Sequence, residues 1–223
     1  MLYIVATPIG NLKDITLRAL EVLGSVDLVL AEDTRVTRKL LDHYEIKTPL
    51  ESFHEHSDKR KLEYVLSLLG EGKSIALVTD AGTPGISDPG NFLVAQVREK
   101  LPDVRVTPVP GPSAVTSALS IAGLPVEEFI YLGFLPHKKG RQTKLFQIAK
   151  SEVPVILLES THRIKKLLQE LEKHCPTKNV VLARELTKKF EEIISGTPAR
   201  LLDYQDKNLE KTKGEFAVIV SSK

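Results

Sequence analysis

Four short apolar runs, Leu2–Ala6, Leu28–Ala31, Ile75–Val78 and Val104–Val109, each end in a polar or Gly/Pro-rich turn. The turns read T-P-I-G-N (Thr7–Asn11), E-D-T-R (Glu32–Arg35), D-A-G-T-P (Asp80–Pro84) and P-G-P-S-A (Pro110–Ala114). Between the runs the apolar periodicity is helical. From Ser57 onward, Leu62, Val65, Leu66 and Leu69 follow i, i+3, i+4, i+7. Asp88-Pro89 reads as the N-cap and first turn of a helix that buries Leu93, Val94, Val97 and Leu101. Strands alternating with helices predict an α/β fold with a parallel sheet and crossover helices. Such sheets bind ligands beyond the carboxyl ends of their strands, so the four turns are expected to line one cleft.

The second half repeats the logic. Gly111-Pro112-Ser113 opens a helix rich in small residues (Ala114, Ser117, Ala118, Ala122), and Gly123-Leu124-Pro125 ends it. The domain boundary is expected there, giving two α/β domains, 1–123 and 124–223. Beyond it, Pro154–Leu158, Asn179–Ala183 and Phe216–Val220 read as strands, and Ser160 is placed as the cap of a helix with Ile164, Leu167, Leu168 and Leu171 on one face. E-S-T-H-R (Glu159–Arg163) and R-E-L-T-K (Arg184–Lys188) follow their strands as the first-half turns do. The cleft is therefore expected between the two domains.

The longest of these passages, V-T-D-A-G-T-P-G-I-S-D-P-G (Val78–Gly90), combines three glycines with two prolines. Glycine permits close backbone approach and proline stiffens the loop, a combination suited to cradling a ligand. It lacks the lysine of a phosphate-binding G-x-x-x-x-G-K-[ST] loop, and the chain has neither G-x-G-x-x-G nor G-x-S-x-G. His54-Glu55-His56 offers too few ligands for a metal centre, so none is expected. Asp33 or Thr34 reads equally as the cap of the helix carrying Val36 and Leu40, and Arg35 and Arg184 equally as structural ion-pair partners.

A formal charge of +2 does not by itself imply a polyanionic partner. Residues 138–166, however, carry eight Lys/Arg against Glu152 and Glu159, which reads either as a solvated helix face or as a polyanion contact. The lone Cys175 fits a reducing compartment. With no signal peptide visible and no apolar run of membrane-spanning length, a cytoplasmic protein with no membrane association is expected.

The blocks L-Y-I-V-A-T-P-I-G-N-L-K-D-I-T-L-R-A-L, A-E-D-T-R, D-A-G-T-P-G-I-S-D-P-G, P-V-P-G-P-S-A, G-F-L-P, E-S-T-H-R, A-R-E-L-T-K and K-G-E-F-A-V-I-V resemble the tetrapyrrole-methylase-like (class III), S-adenosyl-L-methionine-dependent methyltransferases. Within them they resemble the RsmI-type branch, which methylates the 2′-hydroxyl of a decoding-centre cytidine in bacterial 16S rRNA. The resemblance implies two α/β domains with the cofactor cleft between them, usually in a homodimer, and 16S rRNA or the small ribosomal subunit as partner. Carried over position by position, it puts Pro8 on the first cofactor-facing turn. It assigns Asp80, Ala81, Gly82, Thr83 and Ile86 to the methionine and ribose portions, with Ser113 and Ala114 beside them. Leu158, Leu186 and Glu215, in the Gly214–Phe216 turn, would contact the adenine side. Many members continue into a small helical C-terminal domain that this sequence, ending at Lys223, does not show.

A ribose hydroxyl is a poor nucleophile at neutral pH, so a general base is expected. Glu32, Asp33 and His54 are the candidates, with Glu185 from the second half, and Arg35 joins them on the reactive side. Lys138, Lys139, Arg141, Arg163, Arg184 and Lys188 are the candidates for RNA phosphates. A tetrapyrrole or corrinoid methyltransferase and a non-catalytic ribosome-assembly factor stay open as alternatives at this point.

Overall fold

The structure is a computed structural model and describes residues 1–54, 58–86 and 90–222. The chain divides into two compact units, Met1–Ser113 and Ala114–Lys223. In the first unit β1 (Leu2–Val5), β2 (Leu28–Ala31), β3 (Leu50–Ser52), β4 (Ile75–Val78) and β5 (Val106–Val109) form one sheet in the order β3-β2-β4-β1-β5. Every pairing in it is parallel.

The side chains of β4 show why the runs are apolar at every position. Ile75 and Leu77 join Leu62, Leu69, Leu93 and Val97 of α3 (Lys59–Gly70) and α4 (Gly90–Lys100). Ala76 and Val78 join Leu23, Leu40 and Leu41 of α1 (Leu17–Ser25) and α2 (Thr34–His43). Covered on both faces, such a strand has no polar side. Burying each Ile or Leu contributes about 1.5–3 kcal/mol, and cutting Ile75 back to Ala would cost about 2–5 kcal/mol. Helix starts are fixed locally: Thr16 accepts from Ala19 N–H at 3.1 Å, and Asp58 from Lys61 N–H at 2.8 Å. The capping role read for Asp88-Pro89 lies outside the described residues, while α4 buries Leu93 and Val97 as its spacing predicts.

Neighbouring strands β1 and β4 send their helices to opposite faces, α1 to one and α4 to the other. The helices consequently diverge beyond the sheet edge, the arrangement in which open α/β sheets form a crevice.

The second unit has a mixed sheet, β6 (Ile130–Phe134), β7 (Val155–Ser160), β8 (Asn179–Arg184), β9 (Glu192–Gly196) and β10 (Glu215–Ser221), in the order β6-β7-β10-β8-β9. Only β6–β7 among its pairings is parallel. Leu145 and Ile148 of α6 (Arg141–Lys150), Leu167, Leu168 and Leu171 of α7 (Ile164–His174) and Leu201 of α8 (Pro198–Lys207) cover one face. On β10 also packs α5 (Ala114–Ser120), so this helix groups with the second unit and the division falls ahead of Gly123-Leu124-Pro125. Ser160 does not cap α7. It ends β7, its carbonyl accepts from Arg163 N–H at 3.0 Å in an intervening turn, and Arg163 holds the cap position with no side-chain bond.

Because β7 and β8 flank β10 and both run against it, their carboxyl ends lie beside its start. Ser160 pairs with Glu215 and Arg184 with Phe216, while Glu192 at the start of β9 pairs with Arg184.

Candidate functional site

At the edge of the first sheet the strand-end turns are stitched to one another. Thr7 and Gly82 exchange backbone hydrogen bonds of 2.9 and 3.1 Å, which joins the turn after β1 to the turn after β4. Buried Thr7 adds its hydroxyl, donating to the Thr79 carbonyl at 3.0 Å. The Thr79 hydroxyl donates to Glu32 Oε2 at 3.1 Å, and Asp33 N–H donates to Asp80 Oδ1 at 3.1 Å, so the turn after β2 is bound to the same loop. Thr83 reaches the Pro112 carbonyl at 3.4 Å, which adds the turn after β5. Pro8, Glu32, Asp33, Asp80, Ala81, Gly82, Thr83 and Ser113 are thereby brought onto one edge. His54 stands half-buried just after β3, His56 lies outside the described residues, Ile86 is exposed on the loop, and Ala114 begins α5.

Two glycines let the backbone come this close. Gly82 sits at φ 83°, where an L side chain is strained, and has Ile9 and the Pro112 carbonyl beside it. A Cβ on Gly111 would meet Ala6 Cβ at 3.0 Å. Packed this closely, the turns after β1, β4 and β5 form one fixed backbone ledge at the sheet edge.

The acids of this edge differ in how much of their hydrogen-bonding capacity is spent. Asp33 caps α2 through Arg35 N–H at 2.8 Å and chelates the Arg35 guanidinium with contacts of 2.6–3.2 Å. The Arg35 side chain is otherwise 87% exposed. Its hydrogen bonds hold the Asp33 carboxyl at about 2, well below the ordinary 3.8. So weak a base does not suit proton abstraction from a ribose hydroxyl, and Asp33 is instead a cap and an anchor for Arg35. Burial pushes the Asp80 carboxyl the other way, above its ordinary value, against the lowering effect of the Asp33 N–H.

At the edge of the second sheet, charge is tied to charge. Lys188 donates to Glu185 Oε1 at 3.0 Å and to Glu215 Oε2 at 2.9 Å, and Glu215 N–H donates to Glu185 Oε1 at 2.9 Å. Arg184 donates to the Lys213 and Phe190 carbonyls at 2.7 and 3.2 Å. Glu185 and Thr187 have φ of 50° and 64°, a strained pair around buried Leu186. Gly214, at φ 117°, lies where a Cβ would come within 2.6 Å of Glu185 Cγ, and Thr161 clamps it by accepting from its N–H and donating to its carbonyl. Thr7, Thr79 and Thr161 carry no sequence signal beyond the motifs that hold them.

The basic candidates separate. Lys138 and Lys139 are exposed. Arg141 is not an RNA contact: its side chain is 4% exposed, paired with Glu170 at 2.5–3.0 Å and bonded to the Pro136 carbonyl at 3.1 Å. Arg163 is held by buried Glu159 at 3.3 Å and by the Leu135 carbonyl. Arg184 and Lys188 are engaged as described above, while Leu158 is half-buried on β7.

A glycine-cut turn at a strand-order switch, bordered by acids, is the place where open α/β proteins bind their ligands. The model of the Tetrapyrrole (Corrin/Porphyrin) Methylases matches residues 1–202, and the chain belongs to that family. It is 50% identical to a ribosomal RNA small subunit methyltransferase I of Vibrio cholerae over 99% of this chain and 76% of that one. To proteins of the same name it is 49% identical in Escherichia coli O157:H7 (98% of this chain, 77% of that one) and 44% in Thermotoga maritima (100% and 98%). Among solved structures, the cobalt precorrin-4 methyltransferase CbiF shares the fold, with a TM-score of 0.72 at 22% identity over 99% of this chain and 94% of that one.

Proposed function

We propose that this protein transfers a methyl group from S-adenosylmethionine to the 2′-hydroxyl of a decoding-centre cytidine of bacterial 16S rRNA. Its relatives are small-subunit rRNA methyltransferases, and S-adenosylmethionine is the methyl donor. The observation that carries the reading is identity of 44–50% sustained along the whole chain to proteins of that name.

The bound cofactor supplies an electrophilic methyl group on a sulfonium. We assign its methionine and ribose portions to Pro8, the backbone of Asp80–Thr83, Ile86, Ser113 and Ala114, and its adenine side to Leu158, Leu186 and Glu215. The Gly82 turn supports this as a rigid stretch of backbone at φ 83°, pinned to Thr7 and bare of a side chain. In-line displacement needs the nucleophile held in line with the methyl carbon, so fixed turns contribute by orientation. Arg35, exposed and aimed by Asp33, is suited to a phosphate beside the target ribose, and Lys138 and Lys139 to phosphates further along. The protein is read as a homodimer; among the described residues no helix is long and apolar enough to cross a membrane.

The test is incubation with tritiated S-adenosylmethionine and either unmodified 30S subunits or corrinoid precursors. Label is expected in 16S rRNA, in an alkali-resistant dinucleotide, because a 2′-O-methyl group blocks alkaline cleavage at its own linkage. Label on a base, in the pigment, or nowhere overturns the proposal.

A further inference from the structure

We infer that Asp80 is the general base that removes the 2′-hydroxyl proton, with Glu32 and Asp33 serving to position it. This assignment rests on the ribose-methylation reading above. Three acids share the edge of the first sheet, and hydrogen bonding sets Asp33 apart from the other two. Asp33 spends both oxygens on the Arg35 guanidinium and the α2 cap. Glu32 Oε2 accepts from the Thr79 hydroxyl. Asp80 has one oxygen fixed and one open. Oδ1 accepts from Asp33 N–H at 3.1 Å, and among the described residues no donor reaches Oδ2.

The location supports the same assignment. Asp80 is the first residue after Thr79, on the β4 turn whose Gly82 closes against Thr7. A carboxylate there stands two residues from the Gly82–Thr7 junction. It is anchored at one end by a backbone donor belonging to α2, and its residue remains open to solvent. The charged groups acting on it come from the end of β2 and the start of α2: Asp33 repels the ionised form and Arg35 favours it. Together with burial they leave Asp80 a stronger base than Asp33, which the guanidinium holds at about 2.

The step balances. The ribose oxygen forms a bond to the methyl carbon as the carbon–sulfur bond breaks, and the thioether leaves with the electron pair. The hydroxyl proton passes to Asp80 Oδ2 and from there to solvent, restoring the carboxylate.

Asp80→Asn keeps the size and the acceptor for Asp33 N–H while removing the basic oxygen. With unmodified 30S subunits, its single-turnover methylation rate is expected to fall by about 100-fold or more, the range for loss of a general base. Calorimetric affinity for S-adenosylhomocysteine is expected to stay within about threefold, about 0.6 kcal/mol. The wild-type rate is expected to rise with pH along a limb that disappears in the variant, and Asp80→Glu to recover part of the rate. Glu32→Gln, which removes a positioning charge, is expected to lose less than about tenfold and to keep the limb. An unchanged rate in Asp80→Asn, a retained limb, or loss of S-adenosylhomocysteine binding would overturn the assignment; the last would make the side chain a cofactor ligand. If wild-type protein places no label on ribose, the functional reading fails first and takes the assignment with it. Ribose label with a fully active Asp80→Asn defeats the assignment alone.

Discussion

The two sheet edges solve different problems with the same kinds of residue. At the first, Asp33 is tied to the Arg35 guanidinium, but Glu32 and Asp80 meet a hydroxyl and a backbone N–H, and Asp80 keeps an oxygen unspent. At the second, carboxylates meet lysine and arginine, and Glu185, Lys188 and Glu215 close on one another. Neutral donors orient an acid while leaving it reactive. Cationic partners orient it by neutralising it. The first edge thus leaves a carboxylate oxygen open, while the second uses its charges to hold an awkward backbone shape.

The largest expected effect falls on the first edge. Gly82→Val forces a β-branched residue to φ 83°, a strain of about 1–2 kcal/mol, and places its methyls between Ile9 and the Pro112 carbonyl. Affinity for S-adenosylhomocysteine should fall below calorimetric detection while circular dichroism still reports a folded protein; normal affinity would remove this loop from the site. Next comes Arg141→Met, which strands Glu170 and should lower unfolding free energy by about 3 kcal/mol in urea titrations. A merely weaker RNA affinity at unchanged stability would return Arg141 to the surface.

Gly214→Ala tests the second edge directly. Its Cβ would displace Glu185, and a loss of about 2–3 kcal/mol is expected from strain and overpacking. Lys138→Ala with Lys139→Ala should leave stability within about 0.5 kcal/mol, yet reduce the salt slope of RNA binding by about 1.5. The smallest effect is a pH limb. Asp33 titrates at about 2 when folded against an ordinary 3.8, so its stabilisation is present above the ordinary value and is lost as pH falls through the folded one. Urea midpoints followed down to pH about 2 should show this limb in wild type and a flatter one in Asp33→Asn. Equal limbs would mean that the Asp33–Arg35 pair adds nothing to folding.

The parallel core was legible because strands covered on both faces cannot hide their composition: β1, β2 and β4 announce themselves. The strands left unread, β3, β6 and β9, are edge strands. With one neighbour each they are half-exposed and compositionally mixed, and β6 adds a register shift between Tyr131 and Gly133. Motif position placed the turns on the correct sheet edges. It did not reveal how individual charges were spent, because pairings such as Arg141–Glu170 join residues far apart in sequence. Asp33 and Asp80 look alike in one dimension and differ only in what donates to them.

β10 is the last strand in sequence and the central one in its sheet, paired to β7 on one side and β8 on the other. All five strands of the first sheet, by contrast, lie within Met1–Ser113. During synthesis the first unit can therefore consolidate early, in the N-to-C order usual for domains. The second must wait with β7 and β8 unjoined until residues 215–221 clear the ribosome. A stalled or truncated nascent chain would leave those two strands with bare neighbouring edges, the exposed pairing surface that chaperones and proteases act on.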